Sequence, residues 1–131
     1  MSKTFHAQIL TPNGSLFDGE VSGVQVPGSE GKFEMLFNHA PIVSTLTIGK
    51  VVIKKEDQSE LVFAVNGGFI EMSDNQMTLL AEEAVEASKI DVDEARAARD
   101  AAKNKLSSKE GERTSAEKEL AVAENKLKLA T

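Results

Sequence analysis

The chain has 131 residues, no Cys, Trp or Tyr, and a formal net charge of −6. That length suits one ordinary domain, or one small domain plus an appendage. Without Cys there is no disulfide, thiol nucleophile or Cys-ligated zinc, and no stretch approaches the roughly 18–20 apolar residues of a membrane span.

Composition breaks near residue 86. All 6 Phe, all 3 Pro and 8 of the 9 Gly precede residue 70. Ser88 to Thr131 holds no aromatic and no Pro, and a single Gly, Gly111. The first part is built from residues that favour strands and tight turns. The second is built from Ala, Lys, Glu, Leu, Arg and Asp, which favour exposed helices. Two modules are therefore predicted, over residues 1–86 and 87–131. Charge divides with them. Residues 1–86 carry 5 Lys/Arg against 12 Asp/Glu, and residues 87–131 carry 10 against 9. An acidic body argues against nucleic-acid binding, which needs a basic face. From Lys103 onward the tail holds 7 Lys/Arg and 5 Asp/Glu, which fits either a solvated, salt-bridged helix surface or contact with an acidic partner.

In chain order, Met1 to His6 reads as the approach to a strand and not as a leader peptide. Phe5, Ala7 and Ile9 alternate with polar residues, and Asn13-Gly14 marks a turn. Leu16-Phe17 runs to Asp18-Gly19, and Val24 and Val26 precede Pro27-Gly28. Phe33, Met35 and Phe37 share one face. Val51 and Ile53 lead to the polar turn Glu56–Ser59. Leu61, Phe63 and Val65 alternate up to Gly67-Gly68. Ile70 and Met72 run to Ser73-Asp74-Asn75, and Met77, Leu79 and Ala81 close the series. Short alternating runs at even spacing predict an antiparallel sandwich or barrel. The stretch from Phe37 to Leu46 breaks the pattern: Pro41 lacks a donor and biases Ala40 to an extended form. An irregular connection is expected there, between strands at 31–37 and 50–55. Its His39 either fills a contact role or merely satisfies a backbone group.

Asp91, three residues before Glu94, reads as an N-cap. Val92, Ala95, Ala98 or Arg99, Ala102 and Leu106 follow at helical spacing. Residues 107–112 interrupt it. Thr114 with Glu117 suggests a second cap, and Ala116, Leu120, Ala123, Leu127 and Ala130 continue by fours and threes. This predicts a two-helix hairpin, or one long helix if residues 107–113 straighten. Its seam is mostly Ala, which contributes far less than the roughly 1.5–3 kcal/mol of a buried Leu. Isolated helices of about 15 residues are marginal, so both a static hairpin and a two-state switch fit.

Catalytic signatures are missing. There is no phosphate-binding Gly-Lys-Ser/Thr loop and no Ser-His-Asp arrangement. His6 and His39 stand in different contexts with no metal-ligand spacing. Glu82-Glu83 and Asp91/Asp93 sit at a module junction and a helix start, where the helix dipole favours acids. The pattern points away from an enzyme and from any required cofactor or metal.

Taken together, these stretches resemble the ε subunit of bacterial and chloroplast-type F-type ATP synthases. The likeness runs through Leu10-Thr11-Pro12, Leu16–Val21, Val26-Pro27-Gly28 with Gly31, and Asn38-His39-Ala40-Pro41 with Leu46 and Gly49. It continues through Val65–Phe69 and through Ala81-Glu82 into Asp93–Ala97. It implies a β-sandwich of about ten strands, followed by an antiparallel two-helix hairpin. It implies a non-catalytic central-stalk subunit at the cytoplasmic face of the bacterial membrane, attached only through the complex. The sandwich is expected to bind the γ subunit and the c-subunit ring, with Glu30, Gly31, His39, Ala40 and Pro41 near the ring. The hairpin is expected to inhibit ATP hydrolysis when extended. Lys103, Lys105, Lys109, Arg113 and Lys118, with Lys126 and Lys128, would then meet the α and β subunits. Some family members bind regulatory ATP through a motif of Ile or Leu, Asp, two variable residues, Arg and Ala. The stretch similar to it here is Val92-Asp93-Glu94-Ala95-Arg96-Ala97, with Val at the first position. Asp93, Arg96 and Ala97 are the candidate ATP residues, and an Asp93–Arg96 ion pair within the helix is the competing explanation. The chain departs from the family by lacking the Gly that usually follows the position of Phe33. It also has Phe37 where Pro is usual and Asn38 where Gly is frequent. Outside the family, a stand-alone ATP sensor or a sandwich adaptor with a coiled-coil tail would share these features.

Overall fold

Period-two alternation from residue 5 to residue 86 becomes eight strands in the computed structural model, which describes residues 3–107 and 113–130. They are β1 (Phe5–Thr11), β2 (Gly14–Val21), β3 (Gly23–Gly28), β4 (Gly31–Leu36), β5 (Ile42–Lys54), β6 (Glu60–Ser73), β7 (Gln76–Ala81) and β8 (Ala84–Glu86). The chain divides into two compact units, Met1–Glu86 and Ala87–Thr131.

The strands form one hydrogen-bonded sheet in the order β2-β1-β7-β6-β5-β3-β4, with β8 also on β6. Every pair is antiparallel except β1 with β7, which run parallel. The sheet becomes sandwich-like because the β5–β6 ribbon serves both halves. Its Ile42–Leu46 and Gly68–Met72 segments pair with each other, and Gly68–Ser73 also pairs with β7. Farther along the ribbon, Phe63–Val65 pairs with β8, and Val52–Lys54 pairs with β3. Eight continuous strands thus do the work expected of about ten, since β5 and β6 have 13 and 14 residues and contribute to both layers.

The inward face changes phase along this ribbon. In β6 the residues that enter the hydrophobic core are Phe63 and Val65, then Ile70 and Met72. The odd-to-even switch falls at Gly67 and Gly68, whose φ values of 104° and 149° suit Gly alone. Both phases enter one core with Phe5, Ile9, Val24, Val26, Met35, Val51, Ile53 and Leu79. The expected irregular segment is shorter than the sequence suggests. Residues 37–41 lie outside the strands, but Ile42–Leu46 is already ladder, paired with Gly68–Met72. The β-branched Ile42, Val43, Thr45, Thr47 and Ile48 favour that outcome once Pro41 is passed. Phe37, expected inward, is exposed because β4 ends at Leu36.

In the second unit, Ala87–Lys89 forms a 3₁₀ turn, followed by α1 (Val92–Ser107) and α2 (Arg113–Ala130). Asp91 caps α1, its Oδ1 accepting the Glu94 amide at 3.0 Å. The helix α2 starts at Arg113, so Thr114 lies inside the first turn and not ahead of it. The helices pack against each other, and the 3₁₀ turn lies against α2, giving an antiparallel hairpin. Lys105 Nζ meets Glu119 Oε2 at 2.9 Å across it. Ala95 and Ala102 on α1, and Ala116 and Ala123 on α2, are the buried residues, each pair seven apart. A seam of small residues at heptad spacing lets helices approach closely.

Candidate functional site

Strand register assembles a surface that the linear sequence does not show. Thr45 pairs with Phe69, Phe69 with Leu80, and Leu80 with Leu10, so one row crosses β5, β6, β7 and β1. Leu16 is the extra residue of a β2 bulge at the end of that row, where Ile9 pairs with Phe17 and Leu10 with Ser15. Val43 lies one row over. Phe69, Leu80, Leu16 and Val43 are exposed by 37, 48, 43 and 61%. Together with half-buried Leu10 they make an apolar patch on the order of a few hundred Å², the size that marks contact surfaces.

The same face is wholly acidic in its charges. The next row is Val43, Glu71, Thr78, Gln8 and Asp18, and beyond it His6 pairs with Glu20. No Lys or Arg occurs in β1, β2, β7, residues 42–46 or residues 68–73. His6 sits between the carboxylates, with Nε2 2.8 Å from Asp18 and Nδ1 3.4 Å from Glu20. Lys32 belongs to β4, Lys50 and Lys54 to β5, and Lys55 to the turn after it. Lys54 reaches Glu34 at 2.8 Å, and the hydrogen bond and charge of Glu34 raise its pKa. In the β5–β6 turn, hydrogen bonds from the Ser59 hydroxyl and amide lower the pKa of Asp57.

The residues proposed from the sequence fall into separate places. Glu30 lies in the β3–β4 turn, and Gly31 opens β4 at φ 131°. His39, Ala40 and Pro41 follow the other end of β4. Six residues rising about 3.3 Å each put these two groups about 20 Å apart along an exposed edge. Leu36 and Phe37, exposed by 51 and 37%, lie along the same edge. The imidazole Nδ1 of His39 is 2.7 Å from the Ala40 carbonyl, so the ring does satisfy a local backbone group. The flanking residue Asn38 is linked to Asn75 by two hydrogen bonds.

On α1, Asp93 and Arg96 form an i,i+3 pair at 3.9 Å and both are largely exposed, as is Ala97. Lys103, Lys105 and Lys118 are exposed helix residues. Lys109 lies outside the described residues, and Arg113 is the first residue of α2. Among the described residues no cluster of three or more His, Asp or Glu could hold a metal. None of their helices is long and apolar enough to cross a membrane.

A sandwich face with a paired, exposed apolar row and acidic flanks has the character of a protein contact surface. The chain belongs to the ATP synthase epsilon chain family, whose members are non-catalytic subunits of that complex. The family described as ATP synthase, Delta/Epsilon chain, beta-sandwich domain matches residues 4–87. The ATP synthase epsilon chain of Alkalihalophilus pseudofirmus is 45% identical over 105 residues, covering 80% of this chain and 78% of that one. That of Nitratidesulfovibrio vulgaris is 43% identical over 106 residues, covering 81% and 78%. A chain in the cryo-EM structure of Euglena gracilis mitochondrial ATP synthase superposes with a TM-score of 0.84 at 21% identity, covering 95% of this chain and 80% of that chain. A chain of the Tetrahymena thermophila mitochondrial central stalk and c-ring structure gives 0.64 at 20% identity, covering 96% of each. These two likenesses concern the fold.

Proposed function

We propose that the sandwich couples two parts of a rotor. Its acidic face, with the apolar row Phe69–Leu80–Leu10, takes the γ subunit. The edge from Glu30-Gly31 to His39-Ala40-Pro41 rests on the c-subunit ring. The observation that carries this reading is the apolar row on a Lys- and Arg-free sheet face. It fits a protein partner that presents an apolar ridge beside basic side chains. The second contact is broad, because its two ends lie about 20 Å apart along β4. A ring of subunits offers a surface of that breadth. Such a subunit stands at the cytoplasmic side of the membrane and reaches it only through the complex.

The helical unit is proposed as a regulatory arm acting on ATP hydrolysis. A seam of Ala side chains, with the exposed Lys105–Glu119 pair across it, gives a shallow minimum: surface pairs contribute about 0–1 kcal/mol, and Ala adds little area. Lys103, Lys105, Lys109, Arg113 and Lys118 are the basic positions proposed to meet the α and β subunits when the hairpin opens. Lys105 would have to exchange Glu119 for a new carboxylate. At the ATP motif, Asp93 and Arg96 answer each other within the helix, which favours the ion-pair explanation over a nucleotide site.

The test is ATP hydrolysis by the cognate catalytic head stripped of this subunit, with either the full chain or a version ending at Ala87 added back. If both bind and only the full chain suppresses hydrolysis, the hairpin is an inhibitory arm. If both bind and neither suppresses, the regulatory half fails and the connecting role stands. If neither binds, the proposed assembly is wrong.

A further inference from the structure

We infer, resting on the rotor contact proposed for His39-Ala40-Pro41, that Asn75 is a positioning residue for that contact. From the β6–β7 turn it holds the β4–β5 turn in its docking conformation. Leu36–His39 is a β-turn, with the His39 amide donating to the Leu36 carbonyl at 3.0 Å and Asn38 at φ 64°. Positive φ at the third position is a type II requirement that Asn meets with little strain. The turn leaves the Asn38 amide without a partner of its own, and Asn75 supplies one. The Asn38 amide donates to Asn75 Oδ1 at 2.7 Å. In return Asn75 Nδ2 donates to Asn38 Oδ1 at 2.9 Å. Rotating the Asn75 amide would set donor against donor and acceptor against acceptor, and rotating the Asn38 side-chain amide would set donor against donor.

Asn75 is itself held firmly. Asp74 and Asn75 have φ of 51° and 59°, as a two-residue type I′ hairpin needs. The Asn75 carbonyl also accepts the His6 amide at 3.0 Å, which ties the anchor to β1. The other described bonds of residues 37–41 are local, from His39 to Leu36 and Ala40. A side chain 37 positions away in sequence therefore sets the shape of the contact segment. Asn38 stands where the resembled family frequently has Gly, so the side-chain half of this lock depends on the residue this chain carries.

The experiment uses Asn75→Gly in the full chain. Gly keeps the positive φ of a type I′ turn and removes both side-chain bonds. The measurements are amide hydrogen exchange at Asn38, the thermal midpoint, and affinity for the cognate γ–c-ring rotor in detergent. Exchange at Asn38 should accelerate roughly tenfold, the effect of losing about one net hydrogen bond. The thermal midpoint should fall by no more than about 4–8 °C, the equivalent of that one net bond. Rotor affinity should fall roughly 3- to 10-fold, because only a fraction of molecules then present the docking form. Asn75→Asp should recover most of that loss, since Asn38 can turn its amide and donate to the carboxylate.

Unchanged exchange at Asn38 overturns the inference. So does faster exchange with unchanged rotor affinity while His39→Ala weakens binding; the contact reading then survives without the positioning role. If His39→Ala, Pro41→Ala and Asn75→Gly all bind as the unaltered chain does, the contact reading has failed and takes the positioning role with it.

Discussion

Replacing Gly68 by Ala should unfold far more of the sandwich than the same change at Gly67. The two are neighbours in β6 with φ of 149° and 104°. A Cβ on Gly68 would stand 2.3 Å from the Leu80 carbonyl oxygen and 3.0 Å from Ala81 Cα. Both obstacles are backbone of β7, the strand hydrogen-bonded there, so neither can swing aside. A Cβ on Gly67 would meet only the Leu46 carbonyl oxygen, at 3.4 Å. Strained φ costs about 1–3 kcal/mol at either site, and overpacking at Gly68 adds about 1–3 more. Loss of unfolded-chain entropy returns about 0.4–1 kcal/mol to each variant. The net costs are about 3 kcal/mol for Gly68→Ala and about 1 kcal/mol for Gly67→Ala. At about 4–8 °C per kcal/mol for a domain of this size, the midpoints should fall by about 12–24 °C and 4–8 °C. The chain has no Trp or Tyr, so unfolding is best followed through the methyl NMR signals of Ile9 and Ile70, both core residues. Equal losses, or a larger loss for Gly67→Ala, would refute the claim that β7 backbone blocks Gly68.

Phe69→Ser with Leu80→Ser should change the midpoint of the sandwich little, because both are exposed and surface changes usually stay within about 0.5 kcal/mol per site. Pull-down of the γ subunit by this variant should drop by at least tenfold; retention would remove the apolar row from the interface. Ser59→Ala should raise the Asp57 pKa toward its ordinary 3.8, since Ser59 is the leading cause of its depression. The sign follows from that depression: the stabilisation is full above the unfolded pKa and is lost as pH falls through the lowered folded value. A carboxyl NMR titration below pH 5 reads it, and an unmoved Asp57 contradicts the assignment. Ala102→Leu, at a site with no exposure, should destabilise the hairpin by about 1–3 kcal/mol. Helicity during thermal melting checks this, and a more stable hairpin would mean that the Ala seam is not close-packed.

Much of the sandwich was legible because period-two burial is a local property. Phe5, Ala7, Ile9, Val24, Val26, Met35, Val51, Ile53, Met77 and Leu79 read as inward residues, and all are buried. The N-cap at Asp91 was legible for the same reason, needing only three residues of spacing. Gly67-Gly68 misled because it looks like the end of a strand. The real signal was the phase of the neighbours, Phe63 and Val65 against Ile70 and Met72, which marks a continuous strand that changes its inward face.

What stayed hidden was nonlocal. Leu10, Phe69 and Leu80 each look like the polar-side position of an alternating strand occupied by a stray apolar residue. They become a patch only because the parallel β1–β7 pairing sets Leu10 opposite Leu80, and no turn signal encodes that crossover. Asn38 and Asn75 are each explained by turn chemistry alone, so nothing local asks for a partner, yet their side chains meet 37 residues apart. The separation of Glu30 from His39 is the same effect reversed. Nine positions apart in sequence, they belong to opposite ends of β4, because that strand runs extended between them. Contact residues gathered by sequence proximity thus spread along an edge, while distant ones converge on a face. The partners proposed for this chain would have to match both the length of that edge and the row across that face.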